Sequence, residues 1–114
     1  MFVAKPSAGA IATTQTPEAT VVRLSGEIDE TLRTQASAAM SLLLRRHMPV
    51  ELDTAQVTFI NSAGLSFLVQ CRTLARADGL EVSLRPPAPP VADLMDVTGV
   101  ADLFRTDVSR PETR

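Results

Sequence analysis

The stretch "VTFINSAGLSFLVQ", residues 57–70, changes its apolar spacing partway along. Its first residues are typical of a β-strand, "NSAG" is typical of a turn, and the remainder has the spacing of an amphipathic helix. A strand that runs into a helix through a short turn is typical of α/β folds, in which sites tend to form at the carboxyl ends of strands. The serine in this turn, Ser62, is therefore the first candidate for a functional residue.

Composition limits the classes of protein to consider. The chain has 114 residues, of which 45% are hydrophobic and 21% charged. This is enough for one globular domain with one core. The net charge is -2 because eleven Lys and Arg are balanced by thirteen Asp and Glu, so we expect no direct nucleic-acid partner. The nearest basic cluster, Arg45-Arg46-His47, favours the end of a helix, where cations complement the helix dipole.

The reactive side chains of the sequence do not form a metal site. Cys71 is the one cysteine and His47 the one histidine, so no internal disulfide and no metal-ligand spacing is available. We expect no cofactor and a reducing, cytoplasmic location. The apolar runs are much shorter than the roughly 20 residues of a membrane-spanning helix, and residues 1–9 lack the pattern of a signal peptide.

The first half of the chain predicts a hairpin, a helix and a strand. Strands are expected at 10–15 and 20–26, joined by the turn "TPEA", and Asp29 is expected to cap a helix that ends before Pro49. The buried face of that helix carries Leu32, Ala36, Ala39, Met40 and Leu43 at helical spacing. Residues 50–60 predict a strand near 50–53, a short turn, and then an apolar segment that leads into the quoted motif.

The second half continues the alternation. A helix from Ala63 to about Ala77 is expected to end at Gly79, with Gln70 and Arg72 more exposed than its buried face. That face carries Leu65, Leu68, Cys71, Leu74 and Ala75, with Leu68 and Cys71 against the sheet. A strand is predicted at 80–86. A helix from Pro90 to Gly99 presents Val91, Leu94, Met95 and Thr98 on one face, and "ADLFRTDV", residues 101–108, predicts a last short strand.

These elements give the order β-β-α-β-α-β-α-β. Strands that alternate with helices of this length indicate an α/β fold with a mixed, mostly parallel sheet that begins with a hairpin and has helices packed against it. We expect a single domain over residues 10–108, with tails at 1–9 and 109–114.

Ser62 has three possible roles. Asn61 or Ser62 can cap the helix, while Gly64 permits close packing of the turn. A helix N-terminus can also accept a phosphate on the serine hydroxyl. A catalytic nucleophile, as in a small serine hydrolase, fits less well because the flank is not G-x-S-x-G and His47 lies near the end of another helix.

Three separated segments resemble one known family. "LSGEID" at 24–29, "FINSAGLSFLV" at 59–69 and "PPVADLMDVTGVADLF" at 89–104 occur in the order and spacing of a STAS domain of the anti-sigma-factor antagonist type. The resemblance covers about residues 10–108. The middle segment follows the family pattern F-[IVM]-D-S-[ST]-G-L, except that Asn61 replaces the Asp and Ala63 replaces the second hydroxyl residue.

The resemblance implies a binding module and no enzyme. Such proteins bind an anti-sigma factor that is also a serine kinase and thereby free a sigma factor. Phosphorylation of the motif serine, here Ser62, switches the binding off, and a phosphatase restores it. The implied partner surface consists of Asp29, Asn61, Ser62, Ala63, Gly64 and Leu65. Because Asn61 lacks the usual charge, a STAS domain without the switch is the alternative, serving as a constitutive partner or as a subunit of, for example, a lipid-transport complex.

Overall fold

The computed structural model describes residues 9–105 and 107, so most of both predicted tails lies outside the described residues. Four strands and three helices follow one another along the chain. They are β1 (Gly9–Gln15), β2 (Thr20–Ile28), α1 (Arg33–Arg46), β3 (Val50–Ile60), α2 (Ser62–Ala77), β4 (Val82–Leu84) and α3 (Pro89–Thr98), with short 3₁₀ helices at Glu30–Leu32 and Val100–Phe104.

The strands form one mixed sheet in the order β1-β2-β3-β4. β1 pairs antiparallel with β2, whereas β2 with β3 and β3 with β4 are parallel pairs. The predicted α/β class, the hairpin and the mostly parallel sheet are therefore confirmed. The parallel register ends with Ile28 directly beside Ile60, so β2 and β3 finish at the same edge of the sheet.

The helices cover the sheet in chain order. α1 contacts β1 and β2, α2 contacts β3 and β4, and α3 lies mainly against β3. Each of the first two helices connects neighbouring parallel strands, and such a helix begins where one strand ends. The N-terminal ends of α1 and α2 therefore lie at the edge marked by Ile28 and Ile60. Within the described part of the chain, no helix is both long and apolar enough to cross a membrane.

The buried face of α2 largely follows the predicted spacing. Leu68 and Cys71 have no exposed surface, and Gln70 and Arg72 are more exposed, as predicted. The prediction for Leu74 is wrong, because its side chain is 41% exposed. It lies about 100° around the helix from the buried Ala75, at the margin of the apolar stripe. Phe67 is buried on this face instead.

Two predictions about strands are also wrong. β3 continues without a turn from Val50 to Ile60, because shifts in its pairing with β2 absorb the extra residues within the strand. The strand expected at 101–108 begins instead within a 3₁₀ helix, Val100–Phe104, and residues 106 and 108 lie outside the described residues. The left-handed backbone of Gly99, with φ 80°, redirects the chain there.

Buried contacts hold this last segment against α2. The Phe104 side chain is 1% exposed, and the guanidinium of Arg72 lies 6.0 Å from the centre of its ring. Asp107 is also buried, and its carboxylate accepts hydrogen bonds from Arg72 and Arg76. An aromatic ring and a paired carboxylate therefore close the core here, and the backbone N–H of Leu84, at the end of β4, donates to the carbonyl of Asp107 at 2.6 Å.

Two leucines of α2 test this description of the core. We expect Leu68→Ala to lower the free energy of unfolding by about 2 to 5 kcal/mol, since it removes a fully buried side chain and leaves a cavity. Leu74→Ala removes the same atoms from an exposed site and should change it by only about 0.5 kcal/mol. Urea denaturation of both variants measures the difference. Equal losses would contradict the helix orientation.

Candidate functional site

The predicted site lies where β2 and β3 end. Ile28 and Ile60 are paired in the last register position, and the backbone N–H of Asn61 donates to the carbonyl of Ile28 at 3.2 Å. From there β2 leads into the 3₁₀ helix before α1, and β3 leads into α2. Two helix N-termini are thus brought side by side. The first backbone N–H groups of a helix have no partner within the helix, and the positive end of its dipole lies there.

Asn61 links these two turns through its carboxamide. Its Oδ1 accepts the backbone N–H of Gly64 at 3.1 Å, which makes Asn61 the N-cap of α2. Its Nδ2 donates to Oε1 of Glu30 at 2.9 Å. An ionised Asp could form the cap but has no N–H to donate. The residue that departs from the family pattern therefore makes a contact that the usual residue could not make.

Ser62 is the first residue of α2, and its side chain is exposed. The sequence left open whether Asn61 or Ser62 caps the helix, and the structure gives that role to Asn61. Across residues 9–105 and 107, the Ser62 hydroxyl has no hydrogen-bond partner. Its oxygen is open to solvent at the positive end of a helix of 16 residues.

The next three residues pass from the surface into the core. Ala63 is exposed, whereas Gly64 and Leu65 are buried. A Cβ atom at Gly64 would lie 2.8 Å from both the carbonyl oxygen and the Cγ2 atom of Ile28, so the close packing predicted for this glycine is present. The accessible atoms of this turn therefore belong to Ser62 and Ala63, and Gly64 and Leu65 pack beneath them.

Asp29 caps the 3₁₀ turn on the other side of the site. Its Oδ1 accepts the hydroxyl and, at 2.9 Å, the backbone N–H of Thr31. These two bonds hold the pKa of the Asp29 carboxyl below its usual range, and the bond from the Thr31 hydroxyl contributes more than the bond from its N–H. Sequence reasoning identified Asp29 but missed Glu30, because no local pattern indicates a contact between residues 31 positions apart.

A groove of about 350 Å³ opens between α1 and α2 beside this turn. Ala63 and Gly64 line it from α2, and Asp29 and Glu30 line the end nearest Asn61. We call it the α1/α2 groove. The exposed turn of Ser62 and the groove form one continuous surface, since consecutive residues contribute to both.

The two other candidate reactive residues lie away from Ser62. His47 follows the far end of α1 and pairs with Asp78 at 2.8 Å, beyond the far end of α2. α2 has 16 residues and is therefore about 24 Å long, so Asp78 and its partner His47 lie at the opposite end of this helix from Ser62. Cys71 is buried, and burial raises the pKa of its thiol to about 12. Neither side chain can activate the serine.

Arg46, in the basic cluster at the end of α1, has a structural role. Its guanidinium donates to the carbonyls of Thr16 and Ala19 at 2.9 and 2.8 Å, in the turn between β1 and β2. The prediction that this cluster belongs to a helix end is confirmed.

Comparison with known proteins gives a consistent family and fold. The family model described as "Mlab, STAS domain" matches residues 11–105. An anti-sigma factor antagonist from Mycobacterium paratuberculosis is similar in structure, with a TM-score of 0.73 and 19% identity over 96% of this chain and 92% of that chain. No curated protein sequence matches the chain significantly.

Two structures of the anti-sigma factor antagonist SpoIIAA, a Bacillus protein, are also similar. The unphosphorylated form has a TM-score of 0.65 and 19% identity over 90% of this chain and 89% of that chain. The phosphorylated form has the same TM-score and identity over 90% and 92%. At these identities the likeness shows a shared fold.

The capping assignment predicts different stabilities for two neighbouring variants. Asn61→Ala removes the cap and the bond to Glu30, so we expect it to lower the free energy of unfolding by about 1 to 2 kcal/mol. Ser62→Ala removes an exposed hydroxyl and should change it by less than about 0.5 kcal/mol. Thermal and urea denaturation measure both. A Ser62→Ala loss as large as that of Asn61→Ala would mean that the serine is the cap.

Proposed function

Because the chain belongs to the STAS-domain family, we propose that it is an anti-sigma-factor antagonist controlled by phosphorylation of Ser62. In this proposal the unmodified chain binds an anti-sigma factor serine kinase in the cytoplasm and frees a sigma factor. The kinase phosphorylates Ser62, the complex separates, and a phosphatase regenerates the binding form. The chain acts by binding and carries out no reaction of its own.

The exposed Ser62 hydroxyl lies beside a helix cap that another residue provides, and this arrangement supports the proposal. Because Asn61 satisfies the backbone N–H of Gly64, modification of the serine costs the helix no capping bond. The N-terminal end of α2 also tolerates negative charge. A kinase can therefore modify this oxygen while the domain stays folded.

The effect on binding follows from charge and desolvation. A phosphate adds about 1.5 to 2 negative charges, next to a surface that already carries Asp29 and Glu30. Burying it in an interface without a matched cation costs several kcal/mol, and each 1.4 kcal/mol weakens affinity about tenfold. A complex that forms with the neutral hydroxyl would therefore dissociate after phosphorylation.

The proposed partner surface keeps the residues that the sequence indicated. Asp29, Asn61, Ser62 and Ala63 provide its accessible atoms, and Gly64 and Leu65 hold the turn in place beneath them. Asn61 is half-buried, and both ends of its carboxamide are already bonded within the chain.

A second function is favoured by that same residue. Asn61 has no charge at the position where the family pattern has Asp, and its amide is occupied by Glu30 and Gly64. A STAS domain that does not switch, and acts as a constitutive subunit of another complex such as a lipid transporter, would keep this neutral turn unmodified.

Ser62 and Ser66 separate these functions experimentally. Both are exposed, and they lie one turn apart on α2. The tagged chain is used to isolate its anti-sigma kinase, and the purified pair is incubated with ATP. We expect one phosphate on the parent and on Ser66→Ala, and none on Ser62→Ala, by mass spectrometry. Ser62→Asp should bind the kinase at least tenfold more weakly than Ser62→Ala, because it places a charge in the interface.

Unchanged mass after kinase treatment, together with equal affinity of Ser62→Asp and the parent, would contradict the switch. Recovery of a transporter subunit in place of a kinase would favour the constitutive function. Circular dichroism of each variant serves as the folding control.

A further inference from the structure

The contact between Asn61 and Glu30 has a fixed polarity. Nδ2 of Asn61 donates to Oε1 of Glu30, while its Oδ1 accepts the backbone N–H of Gly64. An ionised carboxylate offers acceptors only, so Glu30 requires a donor from its partner. Residue 61 must therefore present an acceptor to α2 and a donor to Glu30 at the same time. A carboxamide meets both requirements, and a carboxylate at this position meets only the first.

The turn that contains Glu30 does not depend on its side chain. The 3₁₀ helix that Glu30 begins is capped by the Asp29 side chain, and the N–H of Arg33 closes it on the Glu30 carbonyl. Within the described part of the chain, the Glu30 carboxylate forms no ion pair, and its one hydrogen bond is the bond to Asn61. The structural role of this side chain is therefore its contact with residue 61.

The family pattern has Asp at position 61, and that residue would conflict with Glu30. Asn61→Asp replaces the donor that faces Oε1 of Glu30, 2.9 Å away, by a second carboxylate oxygen. The hydrogen bond would then become a repulsion between like charges. With Glu30→Gln in the same chain the two groups are exchanged, because the amide at position 30 donates and the carboxylate at position 61 accepts. Asn at position 61 is therefore the residue that fits Glu30.

We infer that Glu30 and Asn61 form a matched pair and that Glu30, through Asn61, positions Ser62 for phosphorylation. In this pair the negative charge that the family pattern has at residue 61 lies on residue 30. Ser62 follows Asn61 directly at the start of α2, and transfer to a hydroxyl requires its alignment with the phosphate donor. The inference rests on the proposed function. It explains Asn61 by its contact with Glu30, without loss of the switch.

A double-mutant cycle tests the pair by thermal denaturation. Asp and Asn cap helices about equally well, so the cycle isolates their interaction with residue 30. We expect Asn61→Asp to lower the melting temperature by at least about 3 °C more in the parent than in the Glu30→Gln chain. The difference should shrink at high salt, which screens exposed charges. Ser66→Asp adds the same charge to α2 more than one turn from residue 61, and its effect should be equal in both backgrounds.

Phosphorylation by the purified kinase tests the positioning role. We expect Asn61→Asp to lower kcat at least fivefold, because repulsion from Glu30 displaces the first turn of α2. Glu30→Gln should stay within twofold of the parent, since its amide oxygen still accepts from Asn61. Adding Glu30→Gln to Asn61→Asp should restore kcat to within twofold of the parent. A role limited to stability would leave kcat the same in every folded variant.

The two measurements separate this inference from the proposed function. Additive melting temperatures would overturn the matched pair, and a kcat that Asn61→Asp does not lower would overturn the positioning role. Both results leave the phosphorylation of Ser62 in place. If neither the parent nor any folded variant takes up phosphate, the proposed function fails and the positioning role fails with it. Non-additive melting temperatures would then leave the pair as a structural contact only.

Discussion

The parallel pairing of β2 and β3 is the constraint on which the rest of the site depends. It places Ile28 beside Ile60, so the turns into α1 and α2 start from adjacent points. The space between them is so small that residue 64 can have no side chain, since a Cβ atom there would contact the backbone of Ile28. Asn61 then joins the turns through its bonds to Gly64 and Glu30. The two helix N-termini form one surface as a result.

This arrangement separates the support of the site from its modifiable atom. The cap, the link between turns and the close packing involve Asn61, Glu30 and Gly64, whereas the Ser62 hydroxyl takes part in none of them. In this chain the negative charge near the serine belongs to Asp29 and Glu30, and residue 61 is neutral. A change at Ser62 can therefore alter the chemistry of the surface while the fold beneath it stays the same.

Local patterns in the sequence were sufficient to predict most of the fold. Apolar periodicity placed the hairpin, the three helices and the core positions Leu68 and Cys71, because these features depend on neighbouring residues. Apolar periodicity did not predict the features that contacts between distant residues determine. Leu74 has helical spacing but lies at the margin of the stripe, and β3 passes through the expected turn because its pairing with β2 tolerates bulges. At the site, the turn residues and Asp29 could be predicted from the sequence. The contact between Glu30 and Asn61, 31 positions apart, and the groove could not, because both depend on how α1 and α2 are positioned relative to each other.

We expect a phosphate on Ser62 to abolish partner binding without refolding the domain, and a comparison of two samples tests this. Phosphoserine is incorporated at position 62 during synthesis, and the ¹⁵N–¹H spectrum and the kinase affinity of this protein are compared with those of the unmodified chain. We expect amide shifts confined to the residues around Asp29, Glu30 and the first turn of α2, with the affinity reduced at least a hundredfold. Undiminished affinity, or shifts spread through the core of the sheet, would contradict it.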